Sequence, residues 1–149
     1  MTANRWLGLA TLTVLFATSA LAQAPSAVGR WTTIDDETKK PKSVINIYEE
    51  NGKLFGKIEK LFLEPNEKQN PVCDKCEGAL KNQPILGMVI MRDLQKDDDE
   101  WSGGKILDPA NGKTYKCKIA VEDGGKKLKV RGYIGMSLLG RTQHWVRAE

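Results

Sequence analysis

Residues 43–63 read SVINIYEENGKLFGKIEKLFL, and in this stretch two segments of alternating apolar residues flank the dipeptide Asn51-Gly52. Alternation with a period of two is typical of half-buried β-strands. Asn-Gly between two such segments is the strongest short-range signal of a two-residue hairpin. The stretch therefore predicts two antiparallel strands, over residues 43–50 and 53–63, joined by a tight turn.

The same alternation recurs along the chain and predicts six more strands. They cover residues 29–34, 85–93, 101–107, 113–122, 126–134 and 141–147. Short connections make neighbours in sequence antiparallel neighbours in space, and closing such a meander removes its exposed edges. We therefore predict an all-β protein, a single antiparallel up-and-down β-barrel of about eight strands. The alternative is a sandwich of two sheets.

The amino terminus has the pattern of a secretory signal peptide. Arg5 precedes an apolar stretch from Trp6 to Ala17, and Ala20-Leu21-Ala22 fits an A-x-A cleavage site. The apolar stretch is shorter than the about 20 residues that a spanning helix needs. We predict a signal peptide over residues 1–22, a barrel domain over residues 23–149, no membrane span, and a periplasmic or secreted protein.

Charge is mixed rather than clustered along the 149 residues, whose formal net charge is +4. Stretches such as KIEK and KDDDE alternate basic and acidic residues or place them side by side. Such mixing is typical of a solvated surface and argues against a stripe of basic residues that follows nucleic-acid phosphates. We predict no nucleic-acid partner, and the oligomeric state stays open.

A segment without periodicity, residues 64–84, carries the motif Cys73-Asp-Lys-Cys76. Three interpretations compete. The oxidising compartment that an exported protein enters favours a disulfide between the two cysteines. A redox pair would require a βαβ context, which the sequence lacks, and a zinc site would require Cys117 and His144 as further ligands. We predict the Cys73–Cys76 disulfide and no metal site, with pairing of either cysteine to Cys117 left as an alternative.

The sequence contains no pattern that indicates catalysis. His144 is the single histidine, and no G-x-S-x-G elbow accompanies it. The acidic run over residues 97–100 lacks the glycine and the spaced ligands of a calcium loop. We therefore predict a protein that is not an enzyme and that has no cofactor.

The first and last strands carry motifs at the two ends of the barrel sequence. Gly29 and Trp31 form a G-x-W motif, and GRTQHWVR at the other end supplies Arg141, Trp145 and Arg147 on one face. Together these motifs resemble the signature of lipocalins and the wider calycin barrels. The resemblance implies that an arginine covers the indole of Trp31 and closes one end of a barrel. From VGRW at residues 28–31, through the CxxC loop, to WVR at residues 145–147, the chain also resembles a family of exported bacterial proteins described as a domain of unknown function. This second resemblance likewise implies a lipocalin-like barrel.

An eight-stranded barrel is either filled by side chains or holds one small ligand. The leading hypothesis is a protein that binds a small apolar or amphipathic molecule in the cell envelope; a solid core is the alternative interpretation. A second hypothesis is a non-catalytic interaction protein that uses the apolar connection 135–140. Alternation predicts that the positions lining the interior are Ile45, Ile47, Leu54, Ile58, Met88, Ile90, Tyr115, Cys117, Ile119, Val121, Leu128 and Val130.

Overall fold

A computed structural model describes residues 24–149. The predicted signal peptide lies outside the described residues. The strands are β1 (Gly29–Ile34), β2 (Pro41–Glu50), β3 (Lys53–Leu61), β4 (Val89–Asp97), β5 (Glu100–Asp108), β6 (Lys113–Glu122), β7 (Lys127–Tyr133) and β8 (Gly140–Arg147). Two short 3-10 helices cover Gly78–Leu80 and Asp123–Gly125. Between residues 24 and 149 no helix is long and apolar enough to cross a membrane.

The strands close into one barrel. They are hydrogen-bonded in chain order from β1 to β8, each pair antiparallel, and β8 returns to pair with β1. The predicted all-β, up-and-down barrel of eight strands is therefore confirmed. The alternative of two stacked sheets is wrong, because a sandwich would leave β1 and β8 as separate edges.

The Asn51-Gly52 turn forms as the sequence predicts. Both residues have positive φ, 51° and 76° respectively, as a type I′ hairpin turn requires. Glu50 and Lys53 are directly paired on either side of it. This turn sets the register in which β2 and β3 direct their apolar residues to the same side.

The fourth strand differs from its prediction. The apolar pattern predicts a strand over residues 85–93, whereas β4 begins at Val89 and ends at Asp97. The Ile85 amide donates to the Pro71 carbonyl at 3.0 Å, so this residue belongs to the preceding loop. Gly87 has a φ of 84°, which ends the extended conformation there. The continuous apolar pattern from Ile85 to Met91 conceals this change of direction.

Every strand contributes apolar side chains to one buried cluster inside the barrel. Trp31 of β1 and Trp145 of β8 are its largest members, and both are almost completely buried. Burying a side chain such as Leu or Ile contributes roughly 1.5–3 kcal/mol. The core therefore stabilises the same closed arrangement that the hydrogen bonds define.

Candidate functional site: the loop-bearing end of the barrel

The strand order gives the barrel two different ends. The turns after β2, β4 and β6 lie at one end, together with residues 24–28 and 148–149; we call this the Trp31 end. The connections 35–40, 62–88, 109–112 and 134–139 lie at the opposite end, which we call the loop end. All connections between strands that are longer than four residues lie at the loop end, and a site built from long loops can form there.

Trp31 and Arg147 close the Trp31 end. The Arg147 guanidinium carbon lies 3.7 Å from the centroid of the Trp31 ring, as in a cation–π contact. The guanidinium also donates to the carbonyls of Ser26 at 2.7 Å, Val28 at 3.0 Å and Gly125 at 3.1 Å. Partial burial lowers the pKa of Arg147 from its ordinary value.

Gly29 makes room for this arginine. A Cβ atom at position 29 would lie 2.6 Å from an Arg147 Nη1 atom, and the φ of Gly29 is 129°. The indole Nε1 of Trp31 donates to the Ala27 carbonyl at 2.8 Å, so the ring is fixed in its buried position. The G-x-W motif thus has a steric and a hydrogen-bonding explanation at this end.

The structure does not place Arg141 at the Trp31 end. Arg141 lies at the loop end, where it forms an exposed ion pair with Asp36. Trp145 is buried in the core between the two ends, and its Nε1 donates to Gln143 Oε1 at 3.4 Å. Of the two arginines that the sequence analysis considered, Arg147 is therefore the one that contacts Trp31.

Cys73 and Cys76 form a disulfide in the long connection between β3 and β4, with their Cα atoms 5.3 Å apart. The predicted disulfide is confirmed. Both cysteines are buried, and the Cys73 Sγ faces the Pro109 carbonyl at 3.6 Å. Burial restricts the access that thiol–disulfide exchange requires. Cys117 is a separate free thiol in the core, and burial raises its pKa to about 12.

The segment around the disulfide, residues 71–85, covers the mouth of the barrel; we call it the mouth loop. Its two arms are joined by the hydrogen bonds Cys73 N to Gln83 O, at 2.9 Å, and Ile85 N to Pro71 O, at 3.0 Å. Both cysteines belong to the core cluster. A Cβ atom on Gly112 would overlap the Lys75 carbonyl oxygen, so the mouth loop lies directly on the turn between β5 and β6.

Most of the predicted interior positions are buried. Met91 faces inward beside Gly56 and Ile45. Alternation therefore places its neighbour Ile90 on the outer side of β4, the side of the exposed Arg92. Tyr115 and Val121 are half-buried, and the hydroxyl of Tyr115 accepts a hydrogen bond from Asn111 Nδ2 at 2.9 Å. The other predicted positions are 0–8% exposed and pack against one another; they are Ile45, Ile47, Leu54, Ile58, Met88, Ile90, Cys117, Ile119, Leu128 and Val130. The middle of the barrel is therefore occupied by side chains.

A groove of about 650 Å³ lies beside the mouth loop. The end of β3 and the residues after it form one wall, and the two arms of the mouth loop with Leu86 form the other. Leu86 is 54% exposed, so the groove is open to solvent. Its lining residues are Glu59, Lys60, Leu61, Leu63, Gln69, Asn70, Pro71, Val72, Pro84 and Leu86.

The part of the chain that matches a known protein family has the same boundaries as the barrel. Residues 29–147, from the first residue of β1 to the last residue of β8, match the family model described as "uncharacterized protein conserved in bacteria (DUF2147)". The chain belongs to this family. The DUF2147 match covers the Trp31–Arg147 closure, the disulfide and the groove together. A search of curated proteins finds no significant match.

The DUF2147 chain is also similar to a solved structure, protein HP1028 of Helicobacter pylori, which is described as belonging to the lipocalin family. The two chains are 23% identical, each is covered over 84% of its length, and the TM-score is 0.71. This likeness shows a lipocalin-like fold. It agrees with the fold that the G-x-W motif and the final strand imply.

Sequence reasoning missed the groove in this DUF2147 barrel. One wall comes from residues 59–63, at the end of the predicted strand 53–63, but the facing wall comes from residues 69–72 and 84–86, where no period-two pattern indicates which side chains share a face. One signal was available: Leu61-Phe62-Leu63 continues as an apolar run beyond the end of β3. An apolar run that leaves a strand at the mouth of a barrel must pack against a loop or remain exposed.

Proposed function

We propose that this chain is an exported, non-enzymatic protein that binds one small apolar or amphipathic molecule in the groove at the loop end. The observation that carries the proposal is the groove itself. Its volume of about 650 Å³ lies within the roughly 300–1,000 Å³ that is usual for small-molecule sites. Leucine, valine and proline side chains dominate its walls, with a few polar groups among them.

The groove supports binding better than the middle of the barrel does. Ile45, Ile47 and Leu54 have no exposed surface, so no water-sized gap touches them. A ligand in the middle of the barrel would have to displace these side chains from a close-packed interior. At the loop end a ligand would instead cover Leu86, which is already exposed to water.

Lys60 favours an amphipathic ligand with an anionic group. It lines the groove, and its Nζ lies 4.6 Å from the centroid of the Phe62 ring. The neighbouring carboxylate of Glu59 is already paired with Arg30 at 2.8 Å. Lys60 is therefore the cation in this wall that can pair with a carboxylate on a ligand whose hydrocarbon part lies against Leu61 and Leu86.

Two further features support export and a non-catalytic role. A buried structural disulfide is typical of proteins from oxidising compartments such as the periplasm. His144, the single histidine, is exposed on β8 and lies 3.5 Å from the Glu122 carboxylate, away from the groove. The His144 imidazole is therefore not placed to act on a molecule bound in the groove.

Titration with a fluorescent fatty acid such as cis-parinaric acid tests the proposal. We expect saturable binding to the purified mature protein, and native mass spectrometry of gently purified protein should detect any co-purifying ligand. Leu86→Gln should weaken binding about tenfold, since it removes apolar contact area from the groove. Val146→Gln is the matched control, because Val146 is an exposed apolar residue outside both the groove and the connection 134–139, and the affinity of this variant should be unchanged.

A variant that removes the charge of Lys60 distinguishes the contribution of the ligand's carboxylate from that of its hydrocarbon chain. Lys60→Met should weaken binding of the fatty acid and leave binding of the corresponding fatty alcohol unchanged. The absence of saturable binding, or equal affinities for the Leu86→Gln and Val146→Gln variants, would contradict the proposal.

The exposed connection between β7 and β8 favours a second function, that of an interaction protein without a small-molecule ligand. Leu138 in this connection is 82% exposed, and exposed apolar surface of this kind is typical of binding sites. Fatty-acid titration distinguishes the two functions, since an interaction protein would bind no fatty acid.

A further inference from the structure

The connection between β7 and β8, residues 134–139, forms an apolar tip at the loop end of the barrel. Four of its six residues are large apolar side chains with most of their surface in water: Ile134 at 65%, Met136 at 68%, Leu138 at 82% and Leu139 at 68%. Contiguous exposed apolar surface of this kind is typical of sites that bind another protein or a membrane.

The apolar tip is held in place through its backbone. Arg131 donates from Nε to the Ser137 carbonyl at 2.6 Å and from Nη2 to the Leu138 carbonyl at 3.2 Å. The Ile134 amide donates to the Leu139 carbonyl at 3.1 Å. With the main chain bonded inward, the apolar side chains project outward from an ordered hairpin.

A row of cations runs across the sheet beside the tip. Arg92 on β4 is directly opposite Lys105 on β5, and Lys105 is directly opposite Lys116 on β6. All three side chains are exposed, and none forms an ion pair with a residue between 24 and 149. Like charges opposite each other on neighbouring strands are destabilising, so this row gains from an external anionic partner.

The cationic row and the apolar tip form one continuous surface. Lys116 is paired with Tyr133, the residue before the tip begins, and its Nζ donates to the Gly135 carbonyl at 3.4 Å. Two acids on the same strands already have partners: Asp93 is paired with Lys53, and the Asp108 carboxylate accepts a hydrogen bond from the Ala110 amide at 2.9 Å. The surface beside the tip therefore carries unneutralised positive charge.

We propose that this surface docks on an anionic lipid bilayer. The apolar tip enters the boundary between headgroups and acyl chains, and the cationic row lies against the lipid phosphates. Apolar insertion and electrostatic attraction to anionic lipid are the two terms that drive peripheral membrane binding. The inference goes beyond the proposed function, because it requires neither the groove nor a ligand in it.

A second copy of the chain fits this surface less well than a lipid surface does. A two-fold pairing of the apolar tips would bring the surfaces around Lys105 and Lys116 in both copies towards each other. Charges of one sign would then be partly desolvated without counter-charges. A bilayer that contains anionic lipid supplies the counter-charge and the apolar medium together.

Vesicle flotation tests the proposal with the mature protein and its disulfide intact. We expect the protein to float with vesicles of phosphatidylethanolamine and phosphatidylglycerol and to remain in solution with vesicles of phosphatidylcholine alone. Leu138→Thr should lower partitioning about tenfold, since one inserted leucine is lost. Lys105→Gln and Lys116→Gln should each lower it about fivefold, and added salt should weaken binding.

Two matched controls lie away from the docking surface. Val146→Thr changes an exposed apolar residue on the outer face of β8 towards the Trp31 end, and Lys126→Gln removes an exposed charge in the turn at that end. Both variants should partition as the unmodified protein does. Sedimentation equilibrium in the absence of lipid should show a monomer.

Three outcomes would overturn the proposal. The first is no flotation with vesicles that contain phosphatidylglycerol, which would leave a protein partner as the occupant. The second is flotation that is unaffected by Leu138→Thr or that is equal with phosphatidylcholine alone. The third is a lipid-free dimer that dissociates in the Leu138→Thr variant, which would identify a second copy as the occupant.

Discussion

At the scale of single residues, the closed end of the barrel depends on the fit between Gly29 and Arg147. The guanidinium occupies the space that a Cβ atom on residue 29 would require, and it bonds three carbonyls from there. A side chain at this position would displace it from Trp31. The cost would come from lost hydrogen bonds as well as from backbone strain.

Gly29→Ala should therefore destabilise the fold by about 2–4 kcal/mol, because it combines a strained positive φ with displacement of Arg147. Gly52→Ala is the matched control, since Gly52 also has a positive φ but an added Cβ there would have no atom within 4 Å. It should cost about 1 kcal/mol. Urea unfolding followed by tryptophan fluorescence measures both. Equal losses would show that Arg147 does not depend on Gly29.

Cys117 should lower the free energy of unfolding as the pH rises into the alkaline range. Burial raises the pKa of its thiol to about 12 in the folded state, against about 8.5 for an unfolded chain. The unfolded state therefore releases this proton first. The contribution to stability is complete below about pH 8 and is lost progressively as the pH rises towards 12.

Between pH 8 and pH 10 we expect the protein to lose about 1–2 kcal/mol more stability than Cys117→Ala loses over the same range. All other titratable groups are common to both proteins, so the difference isolates the thiol. Chemical denaturation at each pH provides the measurement. Parallel stability curves for the two proteins would place the folded-state pKa near its ordinary value.

At the scale of elements, the strands were largely predictable, and the mouth loop was not. Residues 29–34 and 113–122 match β1 and β6 to the residue, because alternation and turn signals agree there. In the segment 64–84 the structure rests on contacts distant in sequence, such as Gly112 against Lys75. No local periodicity reports such contacts. The groove depends on the same segment, and it was missed for the same reason.

The mouth loop makes a close backbone contact with the turn between β5 and β6 at Gly112. Gly112→Ala would drive a Cβ atom into the Lys75 carbonyl and lift the loop from the turn below it. We expect the Cys73–Cys76 disulfide to be reduced by dithiothreitol about tenfold faster in this variant, since access controls exchange. Alkylation and mass spectrometry follow the reduction with time.

Gly124→Ala controls for backbone strain in that experiment. Gly124 has a φ of 60°, an added Cβ there would have no atom within 4 Å, and its turn is at the Trp31 end. The disulfide of this variant should be reduced at the rate of the unmodified protein. If the Gly112→Ala variant were reduced at that rate as well, the mouth loop would not depend on this contact.

At the scale of the whole molecule, the two ends of the barrel carry different structural features. The Trp31 end joins the first and last strands, while the loop end carries the disulfide, the groove and the apolar tip. The seam between β1 and β8 is the shortest ladder, with Trp31 opposite Arg147 and Thr32 opposite Val146. In contrast, β6 and β7 are paired from Lys116–Tyr133 to Glu122–Lys127. The contact between Trp31 and Arg147 therefore adds side-chain stabilisation where the β1–β8 ladder has few hydrogen bonds.

Native-state hydrogen exchange should locate the weakest point of the barrel at this seam. Amides in the β1–β8 ladder should open at a lower free energy than those between β6 and β7, because fewer hydrogen bonds break with them. Arg147→Gln should lower the protection of amides in the seam further. Amides in the β6–β7 ladder should still exchange only when the whole protein unfolds. Arg141→Gln, which removes an exposed ion pair at the loop end, should leave the seam unchanged. If both variants lowered protection uniformly in all strands, the barrel would open as one unit, and the Trp31–Arg147 contact would stabilise the whole fold rather than its seam.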